Sequence, residues 1–175
     1  MPGKAQKIKV IVRNRYPDEE FLTGNALRLY REGFNCAQSV LAAFSPLTGL
    51  DEQVAIRIAS AFGGGMGRQQ EICGVLTGAY MVIGYLYGKP APDDEAKELI
   101  IAMVRELSGR FVKKHGDTHC RVLLGADLNR DEGREFIEKN NLFSVRCEQY
   151  VETSCRLLLE IIYQTSSEKK SNVKK

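Results

Sequence analysis

Tryptophan is absent from the 175 residues, histidine occurs only twice, and no long apolar run is present. A membrane-spanning helix needs roughly 18 consecutive apolar residues, so no membrane insertion is expected. The first apolar run, Ile8–Val12 with basic flanks, is too short for the core of a secretory signal, and no small-residue cleavage site follows it. A cytoplasmic location is therefore expected. No pair of cysteines has CxxC spacing, which excludes a thioredoxin-type motif and a zinc knuckle, and the lack of CxxCH excludes covalent c-type haem. The glycine-rich stretch lacks the GK[ST] ending of a P-loop and follows a helical pattern, so it makes a poor nucleotide fingerprint.

What is present is an ordinary globular composition, 43% hydrophobic and 27% charged, long enough for one domain with a sizeable core. The net charge of +3 is unevenly spread. Residues 1–17 carry Lys4, Lys7, Lys9, Arg13 and Arg15, and residues 166–175 carry four lysines against Glu168, which leaves a mildly acidic body. The expected organisation is a basic N-terminal arm over 1–17, a helical domain over 18–165 and a disordered basic tail over 166–175. No basic helix face and no recognition motif accompany the arms, so nucleic acid is not an expected partner.

The patterning is helical nearly throughout. Acidic residues open a helix over 18–33, and Gly33 stops it. Asn35 caps the next, CAQSVLAAF, with Gln38 three residues on completing a capping box. Asp51 opens a third helix, which runs to the glycine stretch FGGGMGR. The fourth, over 73–87, is apolar on most sides and is expected at the centre, its Gly74, Gly78, Ala79 and Gly84 allowing close packing. A long helix over 94–114, a short one at CRVLLG, a polar one at DEGREFIEKN and a last one over 145–164 follow. Ile8–Val12 is the only strand candidate. The expected fold is all-α, a single-domain bundle of about six to seven helices.

Five cysteines in a chain with no export signal argue against a disulfide framework. On the helix map, Cys36, Cys73, Cys120 and Cys147 each fall at a helix start, Cys147 three residues after a capping Ser144. Helix N-termini carry free N–H groups and positive potential, which favour thiolate, the nucleophilic and metal-ligating form. Cys155 differs, lying mid-helix. Eight residues past Cys147, it is displaced by about 12 Å along the axis, too far for a disulfide within one straight helix. His119, beside Cys120, reads best as an exposed loop residue.

The blocks GFNCAQ, FGGGMGR, CGVLTGA, CRVLLG and RCEQYV, in this order, resemble the C_GCAxxG_C_C family, whose members are regarded as redox-active from their cysteines. The resemblance spans roughly residues 20–163. It implies that Cys36, Cys73, Cys120 and Cys147 are the functional set and Cys155 an extra. Val75 stands where the family core usually has alanine. Three functional readings remain. The first is a metal centre for electron transfer: an iron–sulfur cluster held by Cys36, Cys73, Cys120 and Cys147, with zinc as the duller variant. Backbone at Gly63, Gly64, Gly65, Gly67 and Gly74 would then approach the cofactor. The second is a cofactor-free thiol/disulfide oxidoreductase, with Cys36 or Cys73 attacking. The third is a non-enzymatic binding module with structural cysteines. The expected partner is a redox protein, and a homodimer stays open.

Overall fold

The structure, a computed structural model, describes residues 19–172. The expected basic arm, with its strand candidate, lies outside the described residues, as do 173–175 of the tail. Among the described residues no strand forms and nine α-helices do: α1 (Glu19–Arg31), α2 (Cys36–Ala43), α3 (Ser45–Thr48), α4 (Glu52–Ala59), α5 (Gly74–Tyr87), α6 (Asp94–His115), α7 (Cys120–Leu124), α8 (Asp131–Lys139) and α9 (Glu148–Asn172). The all-α expectation holds, but six to seven helices was too few. One reason is α3, a single turn that Pro46 can start because a first-turn residue needs no N–H partner. No helix among the described residues is long and apolar enough to cross a membrane.

The helix starts follow local chemistry. The Asn35 side chain accepts from the backbone N–H groups of Ala37 and Gln38, and the Gln38 side chain accepts from the Asn35 N–H, so the capping box forms. Asp51 caps α4 through the Val54 N–H, and Asp93 caps α6 through the Ala96 N–H. Gly49, Gly116 and Gly125 end α3, α6 and α7 with positive φ.

Helix α5 is the central element. Nine of its fourteen residues are buried, and it packs against α2, α6 and α9. Its approach to α2 is closest at Gly78, where a β-carbon would come within 2.7 Å of the Ala37 carbonyl oxygen. Gly74 also faces α2, at 3.0 Å from Cys36 Cβ, but Gly84 has nothing within 4 Å of such an atom, so it has no packing role there. Leu76 and Ile83 of α5 share the core with Phe44, Phe111 and Leu158, each fully buried. Burying one such side chain is worth roughly 1.5–3 kcal/mol. Helices α1, α2 and α9 lie together, so both ends of the chain's described part pack against each other.

Candidate functional site

The glycine stretch is a turn, not a helix. Gly64, Gly65, Met66, Gly67 and Arg68 all have φ between 61° and 68°, and Gln70 follows at 60°. Such a run is strained for residues with a β-carbon. Hydrogen bonds from the Arg68, Gln70 and Glu71 N–H groups to the carbonyls of Gly63, Gly64 and Gly65 hold it. Buried Gln70 fixes it from the other side, accepting from Leu128 N–H and donating to the Ala126 carbonyl. A β-carbon on Gly63 would collide with the Asn35 side chain at 2.7 Å, and one on Gly65 with Cys120 Cβ at 2.8 Å. One on Gly74 would press on Cys36 Cβ at 3.0 Å. The glycines therefore let the turn lie directly against Cys120, and the start of α5 against Cys36.

Each cysteine reaches this turn by its own route. Cys36 is the first residue of α2, behind the Asn35 cap, whose amide also donates to the Ser60 carbonyl. Cys73 precedes α5, and Cys120 opens α7. Their backbones are locked side by side: Cys73 N–H donates to the Thr118 carbonyl and Cys120 N–H to the Glu71 carbonyl, both at 2.8 Å, around an isolated antiparallel bridge between Ile72 and His119. No β-propensity run announces this pairing. His119 is half-exposed and paired with Asp117.

Cys147 departs from expectation. Ser144 caps nothing; Phe143–Cys147 forms one π-helical turn that runs into α9. The turn begins at Asn141, whose positive φ of 51° reverses the chain and whose carbonyl accepts from the Ser144 and Val145 N–H groups. Single π-turns inside helices recur at functional sites. The neighbouring Arg146 guanidinium donates to the carbonyls of Leu123 and Leu124, and Tyr150 hydroxyl donates to Leu123. The start of α9 is thereby clamped to the end of α7.

Cys36, Cys73, Cys120 and Cys147 line one cavity of about 850 Å³, together with Gly63, Gly64, Gly65, Gly67 and Gly74. Cys155 does not. It is fully buried on α9, and its thiol is pushed up to about 12 by burial. Within the cavity, hydrogen bonding between the Cys36 and Cys147 thiols is the largest influence on the titration of each. That bond holds Cys147 below the ordinary thiol range, with help from the Tyr30 hydroxyl and the Arg146 charge. The same bond, then burial, holds Cys36 well above it. Burial raises Cys73, and raises Cys120 to about 12. The expectation that helix starts make Cys36 or Cys73 the attacking thiolate is thus corrected. The bond to Cys147 together with burial at Cys36, and burial at Cys73, outweigh the helix dipole, and the thiol with the lowered pKa is Cys147.

Among the described residues, no three His, Cys, Asp or Glu side chains are arranged to hold a metal ion. Tyr30 and Arg146 were not singled out from sequence. Tyr30 read only as part of an apolar helix face; Arg146 carried the one available signal, a positive charge next to a cysteine.

No curated protein and no solved structure matches the chain. The family model described as "Putative redox-active protein (C_GCAxxG_C_C)" matches residues 34–161, from the residue before the α2 cap to the body of α9, and the chain belongs to that family.

Proposed function

We propose that the protein is a thiol/disulfide redox protein in which Cys147 is the attacking thiolate and Cys36 its resolving partner. The observation that carries this is the gathering of Cys36, Cys73, Cys120 and Cys147 on one cavity, where the Cys36 and Cys147 thiols most strongly set each other's titration. A thiolate attacks a disulfide sulfur, the displaced sulfur leaves as thiolate, and a second thiol in reach resolves the mixed disulfide. Cys147 has the stabilised negative charge that the first step needs. Tyr30, whose hydroxyl also donates to the Phe143 carbonyl at 3.4 Å, stands over the π-turn and supports that charge. Cys36 keeps its proton until Cys147 has reacted, so the two act in order.

The test is mild oxidation of the reduced full chain with diamide, followed by peptide mapping. A Cys36–Cys147 linkage as the dominant product supports the reading; linkage among other pairs with these two left free overturns it. Four cysteines around one cavity with a glycine wall also favour a second reading, a cluster or zinc site that rearranges around its metal. Anaerobic isolation with iron, zinc and sulfide analysis separates the two. Stoichiometric metal, lost in Cys36→Ser and Cys147→Ser alike, would replace the dithiol reading.

A further inference from the structure

We propose that the cavity is a binding site for a low-molecular-weight disulfide carrying a carboxylate or similar anionic group, with Arg68 as its anchor. This rests on the thiol redox reading above and names its substrate class.

Size and depth come first. Ligand pockets for small molecules run roughly 300–1,000 Å³, and this cavity is about 850 Å³. Cys147 is 5% exposed, Cys73 4% and Cys120 7%. A thiolate must approach a disulfide along the S–S axis, to near contact. A disulfide held in a folded protein cannot be brought so close to sulfurs recessed in a cavity wall; a small molecule can. Leu123, Leu124 and Leu128 form part of the lining and would take up its apolar portion.

Charge comes second. Arg31 and Glu148 both line the cavity, but they neutralise each other in an ion pair at 2.6 Å. Arg68 also lines it and makes no ion pair among the described residues. Its position is held at some cost: φ is +63°, a region that side-chain-bearing residues rarely occupy. Two hydrogen bonds impose it, from Arg68 N–H to the Gly63 carbonyl and from the Asn129 amide to the Arg68 carbonyl. The Arg68 stem lies over Gly64, where a β-carbon would stand 3.1 Å from Arg68 Cγ. The glycine turn thus holds one uncompensated cation at the wall of a cavity lined with thiols. Backbone strain kept by surrounding bonds is a mark of functional positions.

The chemistry balances without a further reactant. Cys147 thiolate attacks one sulfur of the disulfide R–S–S–R; the Cys147–SR bond forms and R–S⁻ departs. Cys36 gives up its proton, which the departing thiolate takes, and attacks Cys147 Sγ. The second R–S⁻ leaves, and the protein ends oxidised by two electrons as the Cys36–Cys147 disulfide, with the small disulfide reduced to two thiols.

The experiment uses the reduced full chain and three symmetric disulfides: dithiodiglycolate, which is anionic, hydroxyethyl disulfide, which is neutral, and cystamine, which is cationic. Rates of Cys36–Cys147 formation are followed by quenched mass spectrometry, each divided by the rate with a free small thiol. The ratio of anionic to neutral rate should exceed the ratio of cationic to neutral rate by about fivefold or more, the weight of one exposed ion pair. Arg68→Gln should erase that preference, and Arg68→Lys should retain most of it. Equal ratios in the native chain, or an unchanged preference in Arg68→Gln, would overturn the inference while leaving the redox reading intact. So would a failure of all three disulfides to link Cys36 to Cys147 while diamide does so. Failure with diamide as well would remove the redox reading itself, and this inference with it.

Discussion

Adding one methyl group at Gly65 tests whether the glycine turn is shaped by contact with the thiols. A β-carbon there would stand 2.7 Å from the Glu71 carbonyl oxygen, 2.9 Å from the Glu71 nitrogen and 2.8 Å from Cys120 Cβ. Two of these are backbone atoms, and the Glu71 carbonyl is the acceptor that holds the Cys120 N–H. The residue also has φ of +68°, which costs an L-residue roughly 1–2 kcal/mol. Overpacking a tight site adds about 1–3 kcal/mol. Gly65→Ala should therefore lose about 2–5 kcal/mol, a large part of a typical domain's roughly 5–15 kcal/mol. Gly67 provides the control. Its φ is the same, +68°, but a β-carbon there meets nothing nearer than the Ala61 carbonyl at 3.6 Å. Gly67→Ala should lose only the conformational part, about 1–2 kcal/mol. Urea denaturation of both variants measures the difference, and alkylation of Cys120 in native buffer should quicken in Gly65→Ala alone. Equal losses in the two variants would show that the turn answers to backbone conformation only and that its contact with Cys120 is incidental.

Alkylation by iodoacetamide against pH should place Cys147 below the ordinary thiol value of 9.0, with Cys120 gaining reactivity only as pH nears 12, read by peptide mass spectrometry. Arg146→Gln should move the Cys147 midpoint upward, since it removes a charge that favours the thiolate. Asn35→Ala should cost about 1 kcal/mol through its lost cap, measured in urea. Cys155→Ala should leave the diamide-induced Cys36–Cys147 linkage intact, because Cys155 does not line the cavity. Cys155 should instead contribute to alkaline stability, alongside the other raised thiols: it titrates at about 12 folded against 9.0 ordinarily, so the unfolded chain loses its proton first. The stabilisation is whole below pH 9 and falls by about 1.4 kcal/mol per pH unit towards 12, a slope that Cys155→Ala should reduce in urea melts.

What sequence made legible was local. Asn35 with Gln38, Asp51 and Asp93 satisfy N–H groups within three residues of themselves, so their caps could be read from spacing alone. The apolar run of α5 announced its own burial. The grouping of Cys36, Cys73, Cys120 and Cys147 on one cavity was also legible, because distinct blocks carried it. The bridge that sets Cys73 beside Cys120 was not, since it joins two irregular segments far apart in sequence through backbone atoms that any residue possesses. Ser144 misled for a related reason: it has the right chemistry for a cap, but Asn141 had already turned the chain.

The larger misreading concerns which thiol has the lowered pKa, and magnitudes explain it. A helix N-terminus contributes about 0.3–1 kcal/mol, less than one pKa unit, whereas full burial of a charged group shifts a pKa by up to roughly 3–5 units. Cys36 and Cys120 do begin helices, and α7 has only five residues to supply a dipole. The bond to Cys147 and then burial raise Cys36, and burial raises Cys120. Cys147 escapes the same outcome because groups from three places meet it: Cys36 from the start of α2, Tyr30 from α1 and Arg146 from its own turn. None of the three is informative alone. A tyrosine on an apolar face, a cysteine behind a cap and an arginine in a helix are commonplace, and only the packing of α1 and α2 against α9 makes them one environment. The lowered pKa of Cys147 is therefore a property of the tertiary fold. Loosening the contact between α1 and α9, for example by removing the Arg31–Glu148 pair, should raise the Cys147 midpoint without touching any residue that contacts its sulfur.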